Sequence, residues 1–435
     1  MKKLLVMFAF LFSLYGFTLQ TQAEEWIVQT AKPEKLAHLQ INALHGTPYY
    51  LVETSLAEAE LAAIDGVIRI EKNEQIVLPD EQSSHLFQTF TIRKFEMPVF
   101  PYGGRQVKIA VLDTGINITD PQLAPYLEPG LSFVANETVQ DRNGHGTMVT
   151  HIITEAAPKN LRVFPIKVMN HAGESSISTV IKGLYAAKDA GVSIVNLSFG
   201  AGVSSEALHN SIKDLSSHGI TIVAAAGNSG GEGAFYPARY EEVIGVGSHD
   251  EVQQIASFSQ TGAGVDVYVI GTNMKTRDLN GDVVYKKGTS LSAAYMTKQF
   301  AYYETLQLQT KPIWKQWLGY FLDDRKIYSV EDMNIAVLNQ LDEHYEQWPA
   351  VIKQNKQPVA IEFSQEIDST SIQLGAIFAI VEEQLFPLEV AIEKNKLLIT
   401  PVNSWKTGVQ IYLTTNVNSM QQQYLQQAVK FEIVN

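Results

Sequence analysis

VKIAVLDTGI, residues 107–116, is an almost unbroken aliphatic run closed by Asp-Thr-Gly. A strand that is apolar on successive residues has both faces covered, as in parallel sheets, whereas a half-exposed strand alternates. The same character returns in VSIVNLS (Val192–Ser198), ITIVAAA (Ile220–Ala226) and VIGVG (Val243–Gly247). Between these runs Ile177, Val180, Ile181 and Leu184 recur at helical spacing behind Ser175 and Ser176, which suit a helix start. The pattern predicts an α/β domain: a mostly parallel sheet with helices on both faces.

Working outward, the chain divides into four parts. Residues 1–23 carry Lys2 and Lys3, an apolar run from Leu4 to Leu19 and small residues before position 24, which reads as a cleaved signal peptide. That run is short for a span of ~20 residues, so no stable membrane span is expected once it is removed. Residues 24–80 read as a small α+β unit with strands at Trp26–Gln29, Tyr49–Glu53 and Val67–Glu71. Its helix is expected to open on a Ser55/Glu58 capping box and to stop at Gly66. The α/β domain spans 96–341. A linker is expected at Gln347–Pro358, and in 355–435 the period becomes two (Val359, Ile361, Phe363; Leu388, Val390, Ile392; Val409, Ile411, Leu413; Val429, Phe431, Ile433), which predicts a β-sandwich.

Composition narrows the chemistry. With 435 residues the chain has ample length for a large core, and with no cysteine it has neither disulfides nor a thiol nucleophile. A formal charge of −13 repels phosphate backbones and argues against a nucleic-acid partner.

Four residues stand out against this background. Asp113 follows its strand directly, at the carboxyl end where open α/β sheets place their sites. Asp-Thr-Gly also occurs in aspartic proteases, but the chain has no second copy to supply the other carboxylate. His145 lies in NGHGTM between Gly144 and Gly146, which let the backbone turn tightly beside the imidazole. His151 competes for the role from within the following helical stretch, without that glycine setting. Ser290, in KGTSLSAAYM, stands at a helix start, where a serine is either a cap or a nucleophile favoured by the helix amides. Asn228, in AAAGNSGG, follows a buried strand and is placed to donate to an oxyanion.

VLDTGI, GHGT, AAAGN and GTS, in this order, resemble the motifs of the subtilase family. The chain order Asp, His, Ser is the subtilisin order of the catalytic triad. The resemblance covers about 106–303 and implies a subtilisin-like fold and serine endopeptidase activity on polypeptide substrates. Asp113 would orient His145, His145 would act as base and then acid, Ser290 as nucleophile, and Asn228 in the oxyanion hole. It further implies that Gly173 and Ser198, Phe199 and Gly200 pair with substrate backbone, and that Ala225, Ala226 and Gly227 form the other wall of the pocket for the residue before the cut. Phe235 falls where the family has a residue at the bottom of that pocket, and a bulky ring there would favour small side chains.

The chain also departs from the family. Ala294 and Tyr295 replace a Pro and a His after the serine, and Met148 replaces a second His. Gln122 replaces the Asp of the usual strong calcium site, and HIITEAAPKNLRVF leaves no room for its loop. No cofactor or strong metal site is therefore expected, with a weaker calcium site left open. LVETSLAEAELAAIDGVIRIEKN resembles the end of the family's inhibitory propeptide, implying an intramolecular inhibitor cut away between Leu78 and Gln106. The C-terminal unit resembles immunoglobulin-like domains of bacterial surface proteins, open to contact with the cell surface. The leading expectation is a secreted endopeptidase, extracellular or wall-associated. The alternatives are a slow or inert surface-binding relative and a processing protease with few substrates.

Overall fold

The computed structural model describes residues 23–78, 82–83, 106–155, 157, 160–304, 314, 315, 318 and, with short gaps, 346–434. All but the last residue of the expected signal peptide 1–23 and the expected domain edges at 96 and 341 lie outside the described residues. Two compact units emerge, Met1–Glu74 and Gln75–Asn435. The last residues assigned above to the small N-terminal unit, from Gln75 on, thus go with the second one.

The first unit contains β1 (Glu24–Thr30), β2 (Gln40–Ala43), β3 (Tyr49–Thr54), α1 (Glu58–Ala62) and β4 (Val67–Lys72). Its antiparallel sheet has the order β2-β3-β1-β4. Trp26 and Val28, alternate residues of β1, form a small core with Leu36, Val52 and Leu61. The helix begins later than its sequence suggests. Its N-cap is Ala57, and Glu60, not Glu58, reaches back to the cap amide at 2.8 Å. Thr54 explains the shift: its hydroxyl accepts from Leu56 N at 3.1 Å, making a turn of its own before the helix can start.

The second unit opens with β5 (Gln75–Val77) and β6 (Gln82–Ser83). It continues with β7 (Val107–Asp113), β8 (Leu131–Ser132), α2 (His145–Thr154), β9 (Leu161–Lys167), β10 (Glu174–Ser176), α3 (Ile177–Asp189) and β11 (Ile194–Leu197). Then come α4 (Glu206–Ser217), β12 (Thr221–Ala225), β13 (Ile244–His249), β14 (Val267–Ile270), β15 (Met274–Arg277), β16 (Val283–Lys287) and α5 (Thr289–Glu304). Seven strands pair in the order β14-β13-β12-β11-β7-β9-β8, all parallel. Val107, Ile109 and Val111 share one core with Val149 and Ile153 of α2 and Leu291 and Phe300 of α5. Leu112, on the other face, meets α3 so closely that a Cβ on Gly183 would lie 3.0 Å from its side chain. Helices therefore cover both faces, as the unalternated runs require. The strand β9 escapes a sequence reading because Pro165 interrupts it; it is tolerated next to the sheet's edge, where β8 covers only Ile166 and Lys167.

The C-terminal part holds β17 (Glu346–Gln347), β18 (Val351–Ile352), β19 (Val359–Glu362), β20 (Ile377–Val381), β21 (Gln384–Leu385), β22 (Leu388–Glu393), β23 (Lys396–Pro401), β24 (Val409–Leu413) and β25 (Val429–Val434). Sheets of six and three strands enclose a core that includes Ile361, Leu397, Ile399, Ile411 and Phe431. The stretch read as a linker begins within β17 and contains β18, and both strands pair in parallel with β25, so this sandwich begins by Glu346 and not at 355. In β20 the alternation serves two cores. Ile377 and Ala379 face the sandwich, while Phe378 enters the core of the parallel-sheet domain, with Ile380 and Tyr412 packed against it. Phe378 and Tyr412 stack at 4.7 Å. Among the described residues no helix is long and apolar enough to cross a membrane.

Helix α5 is buried along nearly its whole length, its polar residues included, and runs through the interior. It carries Lys298 with it, 7 % exposed, with Nζ 3.8 Å from the Glu155 carboxylate that follows α2. Burial holds this ammonium at about 8, against 10.5 for an ordinary lysine, with Glu155 pulling weakly the other way. Between those two values the unfolded chain binds a proton here that the folded one does not, so this residue's contribution to stability rises with pH across that window. Below it Lys298 costs ~3 kcal/mol. Replacing it in Lys298→Met should raise the urea midpoint at pH 7 and shrink the gain in stability between pH 7 and pH 10, both read from denaturation curves.

Candidate active site

The flagged residues stand near the carboxyl ends of β7, β11 and β12 or at the starts of α2 and α5, and three contacts join them to one another or to a neighbour: Asp113 with His145, Ser290 with Ser198, and Asn228 with Thr289. Asp113 ends β7 and is fully buried, and its Oδ1 lies 2.7 Å from His145 Nδ1 and accepts from Thr114 N at 2.7 Å. A carboxylate only accepts, so Nδ1 carries a proton; in the neutral imidazole Nε2 then presents the lone pair. His151 is excluded from this partnership: its Nε2 bonds Asp120 at 2.8 Å. Burial lowers the basicity of His151, and the Asp120 carboxylate opposes that effect.

His145 opens α2, and two constraints set that helix against the Asp113 turn. A Cβ on Gly146 would lie 2.2 Å from the Gly115 carbonyl oxygen and 3.1 Å from Asp113 Oδ1, so no other residue fits. The second constraint is Asp141, which sequence reasoning passed over. Its Oδ1 accepts from Thr114 Oγ1 (3.0 Å), Asn143 N (2.9 Å) and Gly144 N (2.9 Å); its Oδ2 accepts from Thr147 N (3.0 Å) and Thr147 Oγ1 (2.7 Å). Thr114 in turn accepts from Gly146 N at 3.0 Å. One buried carboxylate thus ties the turn after Asp113 to the turn before His145. The available signal was its position before Asn143-Gly144, since an aspartate commonly accepts from amides two and three residues on. Lys167 was also missed. It is fully buried at the end of β9, donates to the Thr114 carbonyl and pairs with Glu137 at 3.1 Å.

Ser290 is the second residue of α5, fully buried, with Oγ donating to the Ser198 carbonyl at 2.9 Å. Ser198 Oγ returns a bond to the Ser290 carbonyl at 3.0 Å, so the end of β11 and the start of α5 are sewn together. Asn228 Oδ1 accepts from Thr289 N at 2.9 Å and Thr289 Oγ1 at 2.8 Å. Because Thr289 N can only donate, the amide must turn its oxygen toward Thr289 and its Nδ2 away from it. Gln260, also missed, holds this loop: it accepts from Ser229 Oγ (2.8 Å) and Gly231 N (2.6 Å) and donates to Gly233 O (2.8 Å).

Two edges flank the serine. Ser198, Phe199 and Gly200 form one buried segment, and Gly173 lies on another, just before β10. Ala225 ends β12, Ala226 and Gly227 follow it, and all three are buried. Phe235 stands between these walls. Its side chain lies 3.0 Å from where a Cβ of either Gly200 or Gly227 would be, and its amide donates to Ala226 O at 2.8 Å. Gln122 is exposed, and among the described residues no three His, Cys, Asp or Glu side chains cluster as they do in a site built on such ligands.

A parallel sheet with an Asp–His pair at the end of β7 and a buried helix-start serine bonded to the segment after the neighbouring strand β11 fits the architecture of a subtilisin-like α/β serine endopeptidase. A subtilase family profile matches residues 104–316. The alkaline protease of Alkalihalobacillus alcalophilus is 32 % identical over 323 residues, which is 69 % of this chain and 82 % of that protein. Subtilisin Savinase of Lederbergia lenta is 36 % identical over 221 residues, 48 % and 79 % respectively, and subtilisin DY of Bacillus licheniformis 34 % over 209, 45 % and 75 %. The chain belongs to the subtilase family and is a serine endopeptidase.

Asp141→Asn keeps the volume but turns an amide donor toward the Asn143 and Gly144 amides or toward the Thr147 amide. The misplacement of His145 should lower kcat about 10²-fold while KM for a peptide substrate changes little, as steady-state kinetics would read.

Proposed function

We propose that the protein is a secreted endopeptidase made as an inhibited precursor, cleaving peptide bonds through an acyl-enzyme on Ser290. The observation that carries this reading is a strand of the chain itself in the cleft. β5 pairs antiparallel with β10, Leu78 N donates to Gly173 O at 3.0 Å, and Val77 bridges to Gly200. Ile76, between them, is 1 % exposed. An extended peptide held by its backbone between two edges is how a strand-binding protease takes substrate. The occupant here follows directly on the unit of residues 24–74, which fits that unit as an intramolecular inhibitor.

In the proposed mechanism, His145 Nε2 takes the Ser290 proton as Oγ attacks the substrate carbonyl, and Asp113 stabilises the imidazolium through Nδ1–H. For this, Ser290 Oγ must exchange the Ser198 carbonyl for the imidazole as its acceptor. Asn228 Nδ2 donates to the oxyanion. The C–N bond breaks as His145 passes its proton to the leaving amine, and water then repeats the sequence to free the acid. Ser198, Gly200 and Gly173 hold the substrate backbone. Gln122 stands where the resemblance expects an Asp ligand, which motivates the reading that the enzyme works without the family's strong calcium site. The shared core at Phe378 favours a stabilising role for the C-terminal sandwich over a tethered surface-binding one.

Ser290→Ala should retain the N-terminal segment by intact mass and lose labelling by a fluorophosphonate; a wild-type chain that keeps the segment and also resists the probe defeats the reading. Asn228→Ala should lower kcat by about 10²–10³, the magnitude characteristic of this donor in subtilisins. Phe235→Ala should shift the preferred residue before the cut from small to large side chains in a peptide library. Treatment with EDTA should leave both activity and the melting temperature unchanged.

A further inference from the structure

The cleft strand has a continuation. β6 (Gln82–Ser83) pairs antiparallel with β16, matching Gln82 to Lys287 and Ser83 to Lys286. β16 leads through Gly288 and Thr289 into Ser290. The chain therefore lies along Gly173 and Gly200 on one side and, four residues after Leu78, along β16 on the other. For a peptide bound in this direction with its scissile bond after the Leu78 position and before the Gln82 position, the residues after the cut lie on the β16 edge.

That edge is basic in an acidic protein. β16 carries Lys286 and Lys287, and its partner β15 carries Lys275 and Arg277, in a chain of formal charge −13. Lys286 and Lys287 are half-buried, and among the described residues neither has a carboxylate partner. Lys287 Nζ sits 5.9 Å from the centre of the Phe258 ring, which supports the cation from one side and leaves its charge uncompensated. The residues immediately before Gln82 in the sequence are Asp80 and Glu81.

We propose that Lys286 and Lys287, on the β16 edge, select substrates with acidic side chains after the scissile bond. The inference rests on the endopeptidase reading above. Main-chain pairing to β16 is indifferent to sequence, so selection falls to the two ammonium groups. Neutral segments gain nothing from them, and basic segments are repelled.

The self-processed enzyme can be assayed with internally quenched peptides that share one N-terminal half and carry Asp-Glu, Asn-Gln or Lys-Lys in the C-terminal half. A p-nitroanilide of the same N-terminal half has no residues after the cut and serves as the reference rate for each variant. Relative to that reference, kcat/KM should favour Asp-Glu over Asn-Gln by about fivefold to tenfold and fall further for Lys-Lys. Lys286→Glu/Lys287→Glu should reverse the order. Equal rates for the three peptides in the wild type, or an order unmoved by the double substitution, would overturn the proposal. Loss of all turnover, anilide included, counts instead against the endopeptidase reading. In that event, hydrogen exchange at the Gln82 and Ser83 amides of full-length Ser290→Ala still tests the surface. Exchange should quicken with the Lys286→Glu/Lys287→Glu pair and slow again when Asp80→Lys/Glu81→Lys is added; no change in either sense overturns the proposal.

Discussion

The approach of the first turn of α2 to the end of β7 is the contact on which the site depends. Two backbone segments that are distant in the chain must come close enough for Asp113 and His145 to share a 2.7 Å bond. Gly146 permits that approach because a Cβ there would overlap the Gly115 carbonyl oxygen. Asp141 holds it, converting two flexible turns into one buried network through five hydrogen bonds to Thr114, Asn143, Gly144 and Thr147. A buried carboxylate is costly unless its lone pairs are filled, and here both oxygens are, so the network specifies a single arrangement of the imidazole.

The serine side follows the same logic on the other side of β7. Reciprocal bonds between Ser198 and Ser290 join β11 to α5, and Asn228 is locked to Thr289. Every element of the site thus hangs from a strand end or a helix start of the parallel sheet. The core beneath it is continuous from Val107 through Phe300 and extends into the C-terminal sandwich at Phe378. One period-two strand, β20, faces two cores at once, which is why a segment that reads as an independent module shares the interior of the parallel-sheet domain.

The parallel strands, the Asp113, His145, Asn228 and Ser290 motifs and the sandwich were legible in the sequence because each has a local signature: apolar runs, glycine-flanked turns, a period of two. Asp141, Lys167 and Gln260 were not. An aspartate, a lysine and a glutamine on their own are ordinary surface residues, and only the acceptors and donors that fold around them give them work. β9 was hidden by Pro165, and β17 and β18 by their shortness, since they exist only as pairs with β25.

From the sequence alone follow the order of the motifs, the covered sheet that positions them and the acidic, cysteine-free character of the chain. These are statements about residues and their near neighbours. What only the tertiary structure decided is which groups meet: Asp141 with the turns on both sides of the Asp113–His145 pair, Lys167 with Glu137, Gln75–Val77 against β10 and Gln82–Ser83 against Lys286 and Lys287. Hydrogen bonds and close packing act over about 3–4 Å, and the spacing of residues along a chain carries no information about such distances until the chain has folded.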